Sequence, residues 1–219
     1  MKISEIFYSV QGEGLLTGMP SVFVRLAGCN LACSWCDTKY AWTGENYTDM
    51  DISEITDKIE AFAGIYKHCV ITGGEPLIQK DTRFLAEKLR ELGMHTTIET
   101  NSTVPPDGII CDLVSLSPKL HNPSLFGSDL ETAKEWVSKY DFQLKFVVGS
   151  VMDLDPIERF RDELKLVECD ARVFLMPLCT GDMKIDIEQS RSVVELCKRY
   201  GFRYCGRLHK SLYGEERGV

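Results

Sequence analysis

Apolar positions along this 219-residue chain follow two periods that take turns. Ile52, Ile55, Ile59 and Phe62 recur at helical spacing with charged residues between them, and so do Phe84, Leu85, Leu89 and Leu92, and later Ala133, Trp136, Val137 and Tyr140. Asp153-Leu154-Asp155-Pro156 reads as a helix start with an acidic first turn, and the pattern over 185–200 reads as a helix stopped by Gly201. Between these lie short runs rich in strand formers at 6–10, 21–26, 68–72, 95–100, 109–116, 142–148 and 172–177. Strand followed by helix, repeated, implies parallel strands joined by crossover helices. About six such strands are too few for a closed eight-stranded barrel, so the expected fold is α/β, an incomplete open (βα) barrel in a single domain over residues 1–219. No internal repeat or Pro/Gly/Ser linker interrupts it.

Composition narrows the function. A hydrophobic fraction of 44% suits a globular core, and a net charge of -8 argues against nucleic acid as the partner. No apolar run reaches the length of a membrane span, and Met1-Lys2-Ile3-Ser4-Glu5 leads straight into strand pattern without a targeting peptide, which predicts a cytoplasmic protein away from membranes. Nine cysteines in a reducing compartment stay thiols or bind metal; the isolated Cys69, Cys111, Cys169 and Cys197 read as small buried hydrophobes.

Three other cysteines behave differently. Cys29, Cys33 and Cys36 form a C-x3-C-x2-C loop directly after the 21–26 strand. Three thiolates on one short loop suit a 4Fe-4S cubane with one iron left open. A closed zinc site needs a fourth ligand, and the remaining cysteines come without paired neighbours; an odd number of cysteines also disfavours a disulfide frame. Two further stretches sit where strands end. Gly73-Gly74-Glu75-Pro76 exposes backbone at the end of the 68–72 strand, and Gln11-Gly12-Glu13-Gly14 permits close backbone approach after the first strand. Arg25, just before the cysteine loop, has the right chemistry for a carboxylate, with a surface ion pair as the plainer alternative.

The cysteine loop resembles that of the radical S-adenosylmethionine (SAM) superfamily, in which the open iron chelates SAM and one electron releases a 5'-deoxyadenosyl radical. The combination of Gln11-Gly12-Glu13-Gly14, Phe23-Val24-Arg25, Trp35-Cys36-Asp37-Thr38, Thr72-Gly73-Gly74-Glu75-Pro76, Glu99-Thr100, Ser117-Pro118-Lys119 and Leu208-His209-Lys210 is similar to the 7-carboxy-7-deazaguanine synthase family across the whole chain. That resemblance implies ring contraction of 6-carboxy-5,6,7,8-tetrahydropterin with loss of ammonia, on the route to queuosine and other deazapurines, with SAM regenerated. It further implies Cys29, Cys33 and Cys36 as cluster ligands and Thr38 as a Mg2+ contact. Trp35, Cys36, Asp37, Gly74, Glu75, Ser117, Pro118 and Lys119 become SAM contacts, and Val10, Gln11, Gly12, Arg25 and Thr72 substrate contacts. A homodimer, an electron donor such as flavodoxin or ferredoxin, and a C-terminal extension closing the active site are implied as well.

Two stretches depart from the family pattern. Met176 precedes Pro177 where relatives often carry glutamine, and 204–209 lacks the glutamine expected before the histidine; His209 itself reads as an exposed or core residue. Two other functions use part of the same motif set: a radical SAM activase acting on a protein glycine, which has no need of Thr38 or Arg25, and a non-catalytic zinc- or iron-binding module.

Overall fold

The computed structural model describes residues 1–42, 47–62, 67–120, 126–167, 170–214 and 216–219, with the side chains of 126–129 left aside. The chain opens with β1 (Lys2–Val10) and β2 (Pro20–Leu26), followed by the short α1 (Lys39–Trp42) and β3 (Thr48–Asp49). Then α2 (Ile52–Phe62), β4 (His68–Gly73), α3 (Thr82–Glu91), β5 (His95–Thr100), β6 (Leu113–Leu116), α4 (Phe126–Lys139) and β7 (Phe142–Val148) alternate almost strictly. They are followed by α5 (Leu154–Glu163), β8 (Val173–Pro177), α6 (Met183–Tyr200), β9 (Arg203–Tyr204) and α7 (Leu208–Tyr213). One sheet takes all the strands in the order β3-β1-β2-β4-β5-β6-β7-β8-β9.

From β2 to β9 every pairing is parallel, which gives the expected six full-length parallel strands with the two-residue β9 added. β1 is the exception to the strand-helix rule. It pairs antiparallel with β2, Glu5 opposite Arg25, Phe7 opposite Phe23 and Ser9 opposite Ser21. The nine residues between the two strands are too few for a parallel crossover. Instead, Gln11 N–H donates to Met19 O and Gly18 N–H to Gln11 O, both at 2.7 Å, and the chain doubles back. The 109–116 run shortens for a local reason as well: Asp107 and Gly108 adopt positive φ, and only Leu113–Leu116 pairs.

The period of two places opposite chemistry on the two faces of the sheet. Outward lie Val22, Val24, Leu26, Ile71, Ile98, Val114, Leu116, Leu144, Phe146 and Leu175, all within 1% of complete burial against the helices. The helices answer with Ile55, Ile59, Leu85, Leu89, Trp136, Ile157, Phe160 and Val193. Phe84 departs from its predicted stripe and is 43% exposed, because one turn of α3 cannot aim both Phe84 and Leu85 inward. α6 ends as expected at Gly201, whose φ of 75° is the left-handed cap conformation. Cys69 and Cys197 are buried and Cys111 is half-buried against the core, whereas Cys169 lies outside the described residues.

Candidate active site

The inward face carries Arg25, Thr72, Glu99, Ser115, Gln143 and Lys145, and the ends of the parallel strands surround a cavity of about 470 Å³. This is a size that takes small molecules. The cysteine loop between β2 and α1 forms one wall, with Cys29, Cys33 and Cys36 all half-buried, free of disulfides and lining the cavity. Backbone donors are already aimed at the sulfurs: Leu31 N–H at Cys29 Sγ and Thr38 N–H at Cys36 Sγ, each at 3.4 Å. Among the described residues no three His, Cys, Asp or Glu side chains close around a single ion. Three thiols carried by one short loop and lining one cavity suit a polynuclear cluster, in which each sulfur takes a different iron.

Beside that loop runs the glycine edge. A Cβ on Gly74 would stand 2.4 Å from Gly28 O and 2.7 Å from Cys29 Cβ, so only glycine lets the strand end touch the cysteine loop. Glu75 faces away from the cavity and is fully buried. Its carboxylate accepts from Asn101 N (2.7 Å), Thr100 Oγ1 (2.9 Å) and Leu77 N (3.1 Å). Burial pushes this carboxyl up to about 7 despite those donors and the Lys119 charge. Glu75 therefore shapes the loop that a cofactor would meet. On the opposite wall Lys119 donates to Ser117 Oγ at 2.7 Å and lies 5.4 Å from the Trp35 ring centre.

The far end of the cavity is lined by charged and hydrogen-bonding groups. Arg25 Nε pairs with Glu5 at 2.6 Å, and Tyr40 donates to the same carboxylate at 2.7 Å, so the ion pair read as the plainer alternative does form, inside the cavity rather than on the surface. The described hydrogen bonds use only Nε of this guanidinium. Glu99 accepts from Thr72 Oγ1 at 2.9 Å and Gln11 Nε2 at 3.3 Å, with Lys145 Nζ at 3.4 Å. Lys145 also pairs with Glu13 at 2.7 Å. For Lys145, burial is outweighed by the Glu13 and Glu99 charges and the ammonium is held above the usual lysine range. For Glu13, burial is outweighed by Lys145 and Arg207, and the carboxyl is held down to about 2.

The Gln11-Gly12-Glu13-Gly14 turn closes the open side of the barrel. Leu208 N–H donates to Gly12 O at 3.0 Å, and a Cβ on Gly12 would sit 1.9 Å from His209 Nδ1. Gly14, at φ 72°, leaves no room for a Cβ beside the Gln143 amide, which itself accepts from Leu15 N–H at 2.7 Å. Arg207 reaches Glu13 at 3.5 Å and Asp37 at 3.4 Å, tying the tail to both the turn and the cysteine loop. Beyond α7, residues 216–219 line the cavity, and Arg217 lies 3.8 Å from the centre of the Tyr40 ring.

Of the residues singled out in the sequence, Val10, Gln11, Arg25, Cys29, Cys33, Trp35, Cys36, Asp37, Thr38, Thr72, Gly74, Ser117 and Lys119 line this one cavity. Gly12, Glu75 and Pro118 do not: Gly12 docks the tail, Glu75 is turned away from the cavity into the protein, and Pro118 borders a smaller recess with Phe146 and Ile157. Met176 lines the cavity, and His209, read as exposed or core, lines it too. Sequence reasoning gave no role to Glu13, Lys145, Glu99 or Arg207. Lys145 had a signal, a lone cation in the run 142–148, where every other residue but Gln143 is apolar.

The chain matches the radical SAM superfamily over residues 24–210. It is 40% identical to the 7-carboxy-7-deazaguanine synthase of Rhodopirellula baltica, covering 99% of this chain and 88% of that one. It is 37% identical to the protein of the same name from Pyrobaculum aerophilum, covering 100% and 97%. Among solved structures, the crystal structure of QueE from Escherichia coli superposes with a TM-score of 0.72 at 27% identity, over 95% of this chain and 94% of that one.

Proposed function

Because the chain belongs to the 7-carboxy-7-deazaguanine synthase family of the radical SAM superfamily, we propose that its cavity converts 6-carboxy-5,6,7,8-tetrahydropterin to 7-carboxy-7-deazaguanine with loss of ammonia, in deazapurine biosynthesis. The observation that carries this reading is the sharing of one cavity by three unpaired cysteines, a glycine edge and a guanidinium beside a carboxylate-amide network. A bound 4Fe-4S cluster and SAM supply the hydrogen-abstracting chemistry. Cys29, Cys33 and Cys36 hold the cluster, while the Gly74 edge, Trp35, Asp37, Ser117 and Lys119 hold SAM, with Glu75 and Pro118 shaping their loops.

The pterin then lies against Val10, Gln11 and Thr72, with Arg25 holding its carboxylate. Gln11 and Thr72 also fix Glu99, so the network stays ordered while the ring is bound. Lys145 remains an ammonium at working pH and acts as a fixed charge, not a proton source. Thr38, whose hydroxyl donates to Asp37 Oδ1 at 3.0 Å, provides a Mg2+ contact of the sparse kind this ion accepts. The tail from Leu208 excludes water from the site, which makes residues 1–219 one functional domain.

Such chemistry needs an electron donor, for which a flavodoxin or ferredoxin is our choice, and a reducing, cytoplasmic setting suits the free thiols. No helix of the described residues is long and apolar enough to cross a membrane. We take the working form to be a homodimer. The test is anaerobic: with reconstituted cluster, dithionite, Mg2+, the pterin and substoichiometric SAM, mass spectrometry should find 7-carboxy-7-deazaguanine, absent in Cys33→Ala. Accumulation of deoxyadenosine without that product would show a different substrate.

A further inference from the structure

One buried amide next to the cysteine loop is used by none of the roles above. Asn101 follows β5 and is 6% exposed. Its backbone N–H is fixed by Glu75 at 2.7 Å. Its side-chain Oδ1 accepts from Thr103 N–H at 3.0 Å and Thr103 Oγ1 at 2.6 Å, which leaves Nδ2 no freedom to flip away. That Nδ2 donates to Asn30 Oδ1 at 3.0 Å and lies 3.9 Å from Cys29 Sγ. Asn30 closes the ring by donating to Thr103 Oγ1 at 2.7 Å. The glycine-edge loop, the end of β5 and the cysteine loop are thus joined through a single residue, by its backbone N–H on one side and its side-chain amide on the other.

We infer that Asn101 is a positioning residue for Cys29 that sets the reduction potential of the cluster through an N–H directed at the ligating sulfur. Reduction adds negative charge to the cluster and its thiolates. An N–H dipole aimed at one sulfur stabilises that added charge and raises the potential. The geometry that makes this a specific device is the fixed amide orientation: both Oδ1 contacts come from donors, so the nitrogen must face Asn30 and Cys29. The inference rests on the reading of Cys29 as a cluster ligand.

The experiment is a potentiometric titration of the reconstituted cluster, followed by electron paramagnetic resonance, in wild type, Asn101→Ala and Asn101→Asp. Iron and sulfide are measured on the same samples. Asn101→Asp keeps the Oδ1 acceptor that organises Thr103 and puts a carboxylate oxygen where the donor stood, so its charge adds to the loss of the N–H, and it reports even where Asn101→Ala fails to fold. With iron and sulfide contents equal to wild type, both variants should have a more negative midpoint. At fixed poise the reduced fraction should fall about three- to tenfold, tenfold corresponding to about 59 mV for one electron, with the larger shift in Asn101→Asp. Full cluster with an unchanged midpoint in both variants would overturn the inference. A wild type that binds no cluster would instead overturn the reading of Cys29 beneath it, and the two failures are told apart by the iron analysis.

Discussion

Val24 and Arg25 are neighbours on β2, and each is kept in place by different forces. Val24 is fully buried on the helix-covered face, where shape and apolar area decide. Arg25 points the other way and is held by Glu5, with its fit depending on charge and hydrogen-bond geometry. The same division repeats along the sheet: Ile71 against Thr72, Ile98 against Glu99, Leu144 against Lys145. One face of each strand therefore carries the stability of the fold and the other its chemistry, and a substitution should report on whichever face it touches.

Phe146→Ala breaks the outer face most severely. Phe146 is 1% exposed and meets Phe160 edge-on at 5.8 Å, so the lost contacts and the cavity should cost about 3–5 kcal/mol. Urea unfolding measures this, and the surviving folded fraction should still bind SAM normally. Lys145→Met tests the opposite face, where removing the cation strands Glu13 and Glu99. A loss of about 3 kcal/mol is expected, and adding Glu13→Gln should recover part of it, whereas an apolar core would have welcomed the methionine.

The closed lower end of the inner face gives a pH test. His68 bridges Ser21 Oγ (2.7 Å) and Thr97 Oγ1 (2.9 Å), and burial together with His95 lowers it to about 4. Unfolded histidine titrates near 6.5, so the unfolded chain takes up the proton first as pH falls. Stability from this residue is complete above pH 6.5 and is lost toward pH 4, by roughly 2–3 kcal/mol. His68→Gln should remove that component from unfolding curves measured across the window. Gly12→Ala is the smallest change in stability, below about 1 kcal/mol, because the clash with His209 can be relieved by moving the tail. Limited proteolysis after Leu208 should accelerate and turnover should fall several-fold.

The outer face was legible in the sequence because its signal is local: Ile52, Ile55 and Ile59 or Val22, Val24 and Leu26 declare a period within a few residues. The cysteine loop and the glycine edge were legible for the same reason. What remained hidden depends on distant pairs. Glu13 meets Lys145 across 132 positions and Gln11 meets Glu99 across 88, and neither partner advertises the other. Gly12 reads from the sequence as a place of close backbone approach, and the sequence could not say that the side chain filling the space beside it belongs to His209, 197 positions away. Likewise Glu75 sits in a motif at the cavity rim, and its three internal donors turn it away from the cavity.

The two faces of β2 can be set against each other in one titration, the anaerobic binding of 6-carboxy-5,6,7,8-tetrahydropterin to SAM-loaded protein by calorimetry. Val24→Ala should be less stable and bind the pterin with wild-type affinity. Arg25→Gln should keep its fold and bind roughly 30- to 150-fold more weakly, the loss of a charge-assisted contact of about 2–3 kcal/mol. Wild-type affinity in Arg25→Gln, or a loss in Val24→Ala as large, would contradict the assignment of substrate recognition to the inner face.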